Sequence, residues 1–330
     1  MKTKLLFLLS MFSAAAFAQS VNSYYGVDAT AYTLFSSATA LDQSADGTDQ
    51  SWSFSGLTIN GDVVDTNGTP TAGEVTSYPG TTFKSTTAGT ENATATSSTI
   101  YAKEVAGTIS VTGAVSDGLT LNYATDNAEV GTYPLAYGYT NTDAVAGTFN
   151  YTTYNGTFTG SLTTSIDAYG TLTLDPGPDN VNVVRLMTQQ SLSLVYPGFG
   201  TVGTVTIDSY SYFEAGNNSP LFRTATTTMV VPLLSINQTK TRIEIMSSAL
   251  SIGDVAKNLV QVTPNPMLDV LQIVNEGNVP VRSVRLFDVN GRMVGETTAA
   301  SMDVSQLQKG IYFAMIATDY GTTTKKVVKQ

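Results

Sequence analysis

Through much of this chain the apolar side chains fall at every second position, and the residue between them is mostly Thr, Ser, Asn or Gly. Trp52 and Phe54 alternate in this way, as do Leu57 and Ile59, Ile109 and Val111, and Leu119, Leu121 and Tyr123. Leu172 and Leu174, Leu192 and Leu194, Val205 and Ile207, and Tyr210 and Tyr212 repeat the pattern. A period of two sends apolar side chains to one face of an extended strand and hydroxyls to the other. Helical periodicity is nearly absent, so the chain reads as all-β. The excess of Thr and Tyr agrees, because β-branched and aromatic side chains pack well on a pleated surface.

Turn chemistry divides these runs. Asn60-Gly61, Asn67-Gly68, Asp117-Gly118, Asn155-Gly156 and Asp175-Pro176-Gly177-Pro178 suit tight reversals, since Gly, Asn and Asp tolerate positive φ. Many short strands joined by such turns indicate an antiparallel sandwich or barrel. The expectation for residues 19–255 is a sandwich-type region, one large domain or two smaller ones with a split near residue 133. With 17 Tyr and 13 Phe in the chain, the region holds more aromatic surface than a disordered polar linker would.

The N-terminus reads as a secretory signal peptide over residues 1–18. Lys2 and Lys4 precede a short apolar run from Leu5 to Phe12, and Ala16-Phe17-Ala18 supplies the small-residue site, so cleavage after Ala18 is expected. The run is shorter than the ~20 apolar residues that cross a bilayer, and no later stretch is apolar enough, so the mature chain is not expected to be an integral membrane protein. The chain has no Cys and no His. Disulfides, thiolate metal sites, Ser-His-Asp catalysis and imidazole proton shuttling are therefore excluded. Residues 19–259 hold 20 acidic and 7 basic side chains, whereas residues 260–330 hold 6 and 7. So acidic a main region repels phosphate backbones, and nucleic acid is not an expected partner. The charge difference also separates two units.

The character of the chain changes at Val262. Val262-Thr263-Pro264-Asn265-Pro266 is a stiff entry, followed by an apolar strand through Leu271 and Ile273. Asp288-Val289-Asn290-Gly291 then forms a hairpin turn between Phe287 and Arg292. Asp303, Ser305 and Leu307 precede Gly310, Tyr312 and the nearly all-apolar strand Ile311 to Ile316, which reads as covered on both faces. Lys325 and Lys326 begin a basic and apolar tail. In their order, these blocks resemble the type A C-terminal sorting domain of the type IX secretion system of Bacteroidota. The match rests on Pro264, Asn265, Pro266, Asp288, Gly291, Arg292, Gly310, Tyr312, Lys325 and Lys326; Thr263 stands where the family usually has Tyr. The resemblance implies a seven-stranded Ig-like sandwich over residues 262–330, after a linker at 256–261. It also implies recognition by the type IX machinery and delivery through the periplasm to the cell surface or medium. More loosely, Ser51 to Leu57, Pro79 to Phe83, Val183 to Leu186 and Tyr210 to Phe222 resemble an uncharacterised all-β cargo found ahead of this domain, a likeness that implies no activity.

Candidate chemistry in the main region is sparse. Asp62, Asp65, Asp117, Asp126, Glu129, Asp167, Asp208 and Glu214 include no pair at a spacing diagnostic of a glycosidase. Asp42, Asp46 and Asp49 surround Gly47 as oxygen ligands of a calcium loop would, without the spacing of an EF-hand; a solvated acidic loop is the competing reading. Of the aromatics, Trp52 shares a face with Phe54 and reads as core. Tyr151 and Tyr154, beside Asn155-Gly156, are expected at an exposed hairpin tip where they could contact a ligand. The leading function is a non-enzymatic module binding a glycan or another envelope component. A carboxylate-based glycan-degrading enzyme and a passive surface-layer or matrix component are the alternatives.

Overall fold

The computed structural model describes residues 20–250, 260–275, 281–318 and 321–330. The expected signal peptide and most of the expected linker lie outside those residues. The strands of the main region begin with β1 (Ser20–Val21), β2 (Thr30–Ser37), β3 (Gly47–Phe54) and β4 (Leu57–Gly68), followed by a short helix α1 (Ala72–Ser77). Next come β5 (Phe83–Glu91), β6 (Thr94–Val105), β7 (Thr108–Ser116), β8 (Leu119–Asp126), β9 (Ala128–Thr132) and β10 (Leu135–Ala136). The series continues with β11 (Thr140–Tyr151), β12 (Tyr154–Leu174), β13 (Val181–Tyr196), β14 (Gly200–Glu214), β15 (Phe222–Val231) and β16 (Ile236–Met246).

Twelve of these strands pair in sequence order as an up-and-down meander: β2, β4, β5, β6, β7, β8, β11, β12, β13, β14, β15 and β16. The last strand then pairs with the first, antiparallel, from Ile243↔Phe35 to Met246↔Tyr32. The main region is therefore a closed antiparallel barrel, which corrects the sandwich-type expectation. Period-two alternation is the same in both architectures. Only the pairing of β2 with β16 separates them, and no local pattern encodes a contact across so much sequence. The ring draws strands from both sides of Tyr133-Pro134.

Three of the expected turns are corrected as well. Asn60-Gly61 and Asn67-Gly68 lie inside β4 and Asn155-Gly156 inside β12. At Gly61 an added Cβ would meet the Thr90 carbonyl oxygen at 2.0 Å, and at Gly156 that of Val195 at 2.2 Å. These glycines serve close strand approach rather than reversal. Asp117-Gly118 does make the β7–β8 turn, with φ of 49° and 78°.

Which face of the wall points inward is fixed by side chains that meet across the ring. Lys240 on β16 reaches Asp117 at the β7–β8 turn at 3.2 Å, so its face, shared with Arg242 and Glu244, is the interior. An apolar interior cluster gathers Leu119, Leu121, Tyr123, Phe149, Phe158, Leu192, Leu194, Val205, Met229 and Val231. A ring of twelve strands encloses more space than the roughly eight that side chains alone fill. One end is closed by β1 paired with β10, which buries Val21 and Leu135 among Ile166, Val184 and Phe213.

A second apolar layer lies outside the wall. β3 leaves the ring and runs parallel to the far part of β12, from Gly170↔Gln50 to Leu174↔Phe54. It lays Trp52 (3% exposed) and Phe54 over Tyr212, Phe222, Ile243 and Ile245. Away from this cover the outer wall carries hydroxyl pairs such as Thr226 with Thr241, Thr228 with Thr239 and Thr142 with Thr163, each 3.0 Å apart. A lipid-facing barrel would carry an apolar band there. Among the described residues no helix is long and apolar enough to cross a membrane.

The C-terminal strands are β17 (Val260–Thr263), β18 (Val270–Asn275), β19 (Val281–Asp288), β20 (Met293–Thr297), β21 (Ser301–Asp303), β22 (Gly310–Thr318) and β23 (Gly321–Lys329). They form two sheets, β17-β18-β21 and β20-β19-β22-β23. Their common core includes Leu271, Ile273, Val284, Leu286, Tyr312, Ala314, Ile316 and Val327. The expectation that both faces of β22 are covered is corrected. Tyr312, Ala314 and Ile316 point inward, while Ile311 and Phe313 stay exposed at 40% and 38%.

Trp52→Ala removes the largest side chain of the outer layer and leaves a cavity over Tyr212, so it should cost roughly 3–5 kcal/mol. Urea unfolding followed by circular dichroism checks this, and a loss below about 1 kcal/mol would mean that β3 contributes little to the wall it covers.

Candidate functional site

The end of the barrel opposite β1 and β10 is ringed by hairpin tips. Three of them, between β11 and β12, between β13 and β14, and between β15 and β16, enclose a cavity of about 260 Å³. Its floor is the top of the interior core, Phe149, Leu194, Val202, Met229 and Val231. Its rim is Tyr151, Tyr154, Tyr196, Phe199, Leu233 and Leu234. The rings of Tyr154 and Tyr196 meet edge-on at 6.4 Å, and Tyr196 lies 5.8 Å from Phe199. A 3-10 turn at Pro232–Leu234, closed by Ser235 at φ 54°, holds Leu233 out at the lip. Phe199 and Leu233 are 67% and 66% exposed, and Tyr154 is 39% exposed. Large apolar side chains left open around a concavity are the usual mark of a binding surface.

Below the mouth the interior turns ionic. Arg223 on β15 donates to both carboxylate oxygens of Asp65 on β4, at 2.7 and 2.9 Å, and to Glu244 on β16. Its guanidinium carbon sits 4.0 Å from the centre of the Tyr32 ring. Burial alone would depress the Arg223 pKa, but Glu244 and Asp65 outweigh burial and raise it. One step up β16, Arg242 bonds Thr96 at 2.7 Å and lies 3.5 Å from Glu91. At the mouth, Lys240 is held by Glu91 at 3.0 Å and Asp117 at 3.2 Å. Gln238, next on the same face, donates to the Tyr151 hydroxyl at 3.3 Å. The mouth is thus half apolar cup and half charged ladder, joined at Tyr151 and Gln238.

Of the aromatics singled out in the sequence, Tyr151 and Tyr154 come together on the cup rim, although the hairpin reverses at Thr152-Thr153 rather than at Asn155-Gly156. Tyr212 is fully buried in the outer layer. Sequence reasoning missed Tyr196, Phe199 and Leu233. Phe199 in Pro197-Gly198-Phe199-Gly200 was the available signal, a large apolar side chain in a Gly-rich turn.

The candidate calcium residues Asp42, Asp46 and Asp49 lie exposed. Asp42 accepts from the Ser44 hydroxyl and amide at 2.6 and 2.9 Å, and these bonds hold its carboxyl below the usual range. No group of three or more metal-capable side chains occurs among the described residues. The carboxylates Asp65, Glu91, Asp117 and Glu244 in the barrel, and Asp167 on its outer wall, are each paired with Arg or Lys.

Of the C-terminal motif, the Pro264-Asn265-Pro266 segment lies against the tail strand. The Asn265 amide donates to the Lys326 carbonyl at 3.0 Å and accepts from the Val328 amide at 3.0 Å. Met267 and Gln330 continue the same ladder at 2.7 and 3.1 Å. The Pro264-Asn265-Pro266 loop therefore clamps β23. Asp288 caps its hairpin by accepting from the Asn290 and Arg292 amides and the Arg292 side chain, while Gly291 takes φ of 79°. The Tyr312 hydroxyl donates to the Gln308 carbonyl at 2.8 Å.

Arg223→Ala should destabilise the barrel by roughly 3–5 kcal/mol, because Asp65 loses its cation and Glu244 keeps only the more distant Arg242, at 3.9 Å. Lys240→Met at the open mouth should cost no more than about 1 kcal/mol. Paired urea titrations check the contrast, and equal effects would show that burial does not grade the ladder.

No curated protein and no solved structure matches the chain. Residues 261–330 match the family model described as Secretion system C-terminal sorting domain, so the chain carries a type IX secretion sorting domain behind its barrel and is a secreted or surface-delivered protein.

Proposed function

We propose that the barrel is a non-catalytic binding module presented outside the cell, and that a component of the envelope enters its mouth. The observation that carries this reading is the apolar cup rimmed by exposed Tyr154, Phe199 and Leu233. Maintaining so much open apolar surface in a secreted protein has a cost in solubility, which a ligand would offset. Carboxylate-based hydrolysis needs two carboxyl groups facing one cleft with different proton affinities. The ionic ladder instead gives its carboxylates to Arg223, Arg242 and Lys240, an arrangement suited to holding the wall. Delivery is assigned to the sorting domain, through the machinery that recognises it.

Two experiments test the two halves of this proposal. The full exported chain and its Tyr154→Ser, Phe199→Ser variant are applied to a glycan array and to immobilised envelope lipids. A ligand held by the wild type and weakened at least tenfold in the variant supports the mouth as the site. Turnover of any polysaccharide, or a ligand held equally by both proteins, would overturn it. Separately, deletion of residues 261–330 should abolish delivery and leave the barrel in the periplasm, as immunoblots of cell fractions would read. Undiminished surface or medium protein would contradict the assigned address.

A further inference from the structure

Resting on the reading of the mouth as the binding site, we propose that the group it takes is an unbranched aliphatic chain, belonging to an amphiphile whose uncharged polar end stays at the rim. The floor of the cup is built from Phe149, Leu194, Met229 and Val231, none of which offers a strong hydrogen-bond partner. A sugar ring seated there would surrender its hydrogen bonds to water without replacement. An apolar chain gives up none. The cavity, at about 260 Å³, exceeds the ~150 Å³ that accommodates a benzene ring in an apolar cavity. Met229 at the floor is unbranched and adaptable, which suits a flexible guest better than a rigid one.

The polar end is constrained by what borders the cup. On one side the Tyr151 hydroxyl is tied to Gln238, two neutral groups that can exchange hydrogen bonds with a headgroup. The nearest cation on that face is Lys240, and Glu91 and Asp117 already hold it. An acidic headgroup would approach two carboxylates around one ammonium, so the geometry favours a headgroup without charge. Phe199 and Leu233 stand at the lip, where they can close over the first methylenes of a chain.

The test is isothermal titration of the full exported chain with octyl, decyl and dodecyl maltoside, each kept below the concentration at which it forms micelles. Affinity should rise about fourfold per added methylene, the ratio that ~0.8 kcal/mol amounts to, and level off once the cup is full. Maltose alone should not bind, and the alkanoate of matching length should bind no better than the maltoside. Phe199→Ser with Leu233→Ser, both at exposed positions, should weaken the dodecyl compound at least tenfold while circular dichroism stays unchanged. Affinity independent of chain length, or equal binding by the rim variant, would overturn the proposal. So would a ligand-free dimer that the rim variant abolishes, because a second copy would then be the occupant. Oligosaccharide binding lost in the rim variant would sink the aliphatic assignment and leave the mouth as the binding site. Failure of every glycan, lipid and alkyl compound to bind would remove both.

Discussion

The antiparallel pairing of β2 with β16 is the contact on which the barrel depends. Each other junction of the wall joins strands adjacent in the meander, most of them linked by short turns. This one joins the first strand to the last, through Tyr32↔Met246 and Phe35↔Ile243. Without it the meander would be an open sheet of twelve strands with two unpaired edges, a surface prone to add further strands. At the closing seam both faces of the wall are buried. Inside, Tyr32 and Leu34 pack with Val63 and Met246. Outside, Phe35, Ile243 and Ile245 lie within the layer that Trp52 and Phe54 cover.

Arg223 belongs to the same region, and its role follows from closure. Closure brings charged side chains from strands far apart in sequence toward one another, and they persist only if paired. Asp65 on β4 and Glu244 on β16 converge on one guanidinium with Tyr32 against its face, so one side chain ties three strands across the seam. Further up β16, Arg242 is covered as well as Arg223 is, and only Lys240, 43% exposed, reaches the open mouth. The apolar half of the mouth is free of charge, because the ladder climbs β16 from Arg223 at the start of β15, whereas the cup takes only the far end of β15, at Met229 and Val231.

What could be read from the sequence divides along the range of the interactions. Strand character, the outward hydroxyls and the core role of Trp52 follow from neighbours one or two residues away, and each appears in the structure. The C-terminal module could be read because its turns use fixed chemistry: Asp288 and Gly291 make a hairpin that needs those residues, and Asn265 supplies both donor and acceptor to β23. Closure could not be read, nor could the interior ladder, whose partners lie far apart in sequence. The glycines mislead for a related reason. Gly61 and Gly156 follow Asn as turn glycines do, but their lack of a Cβ admits the carbonyls of Thr90 and Val195 from neighbouring strands. Of the cup, Tyr151 and Tyr154 were visible as an aromatic pair at a tip, while Tyr196, Phe199 and Leu233 join them only through the fold.

The lack of Cys bears on how the barrel is held together. A chain without cysteine draws no stability from disulfides or thiolate-bound metal, which leaves more to closure, burial and pairing. The barrel accordingly uses both faces of its wall, with one core inside and another beneath β3. The sorting module has a core of its own, drawn entirely from Val260 onward. Of these cores, the interior one is left open at its top, where Phe149, Met229 and Val231 become the floor of the cup. Had the ring been narrower, facing side chains would have met and filled that space. Twelve strands keep the walls apart at the mouth, so the same width that calls for a plug at one end leaves room for a guest at the other.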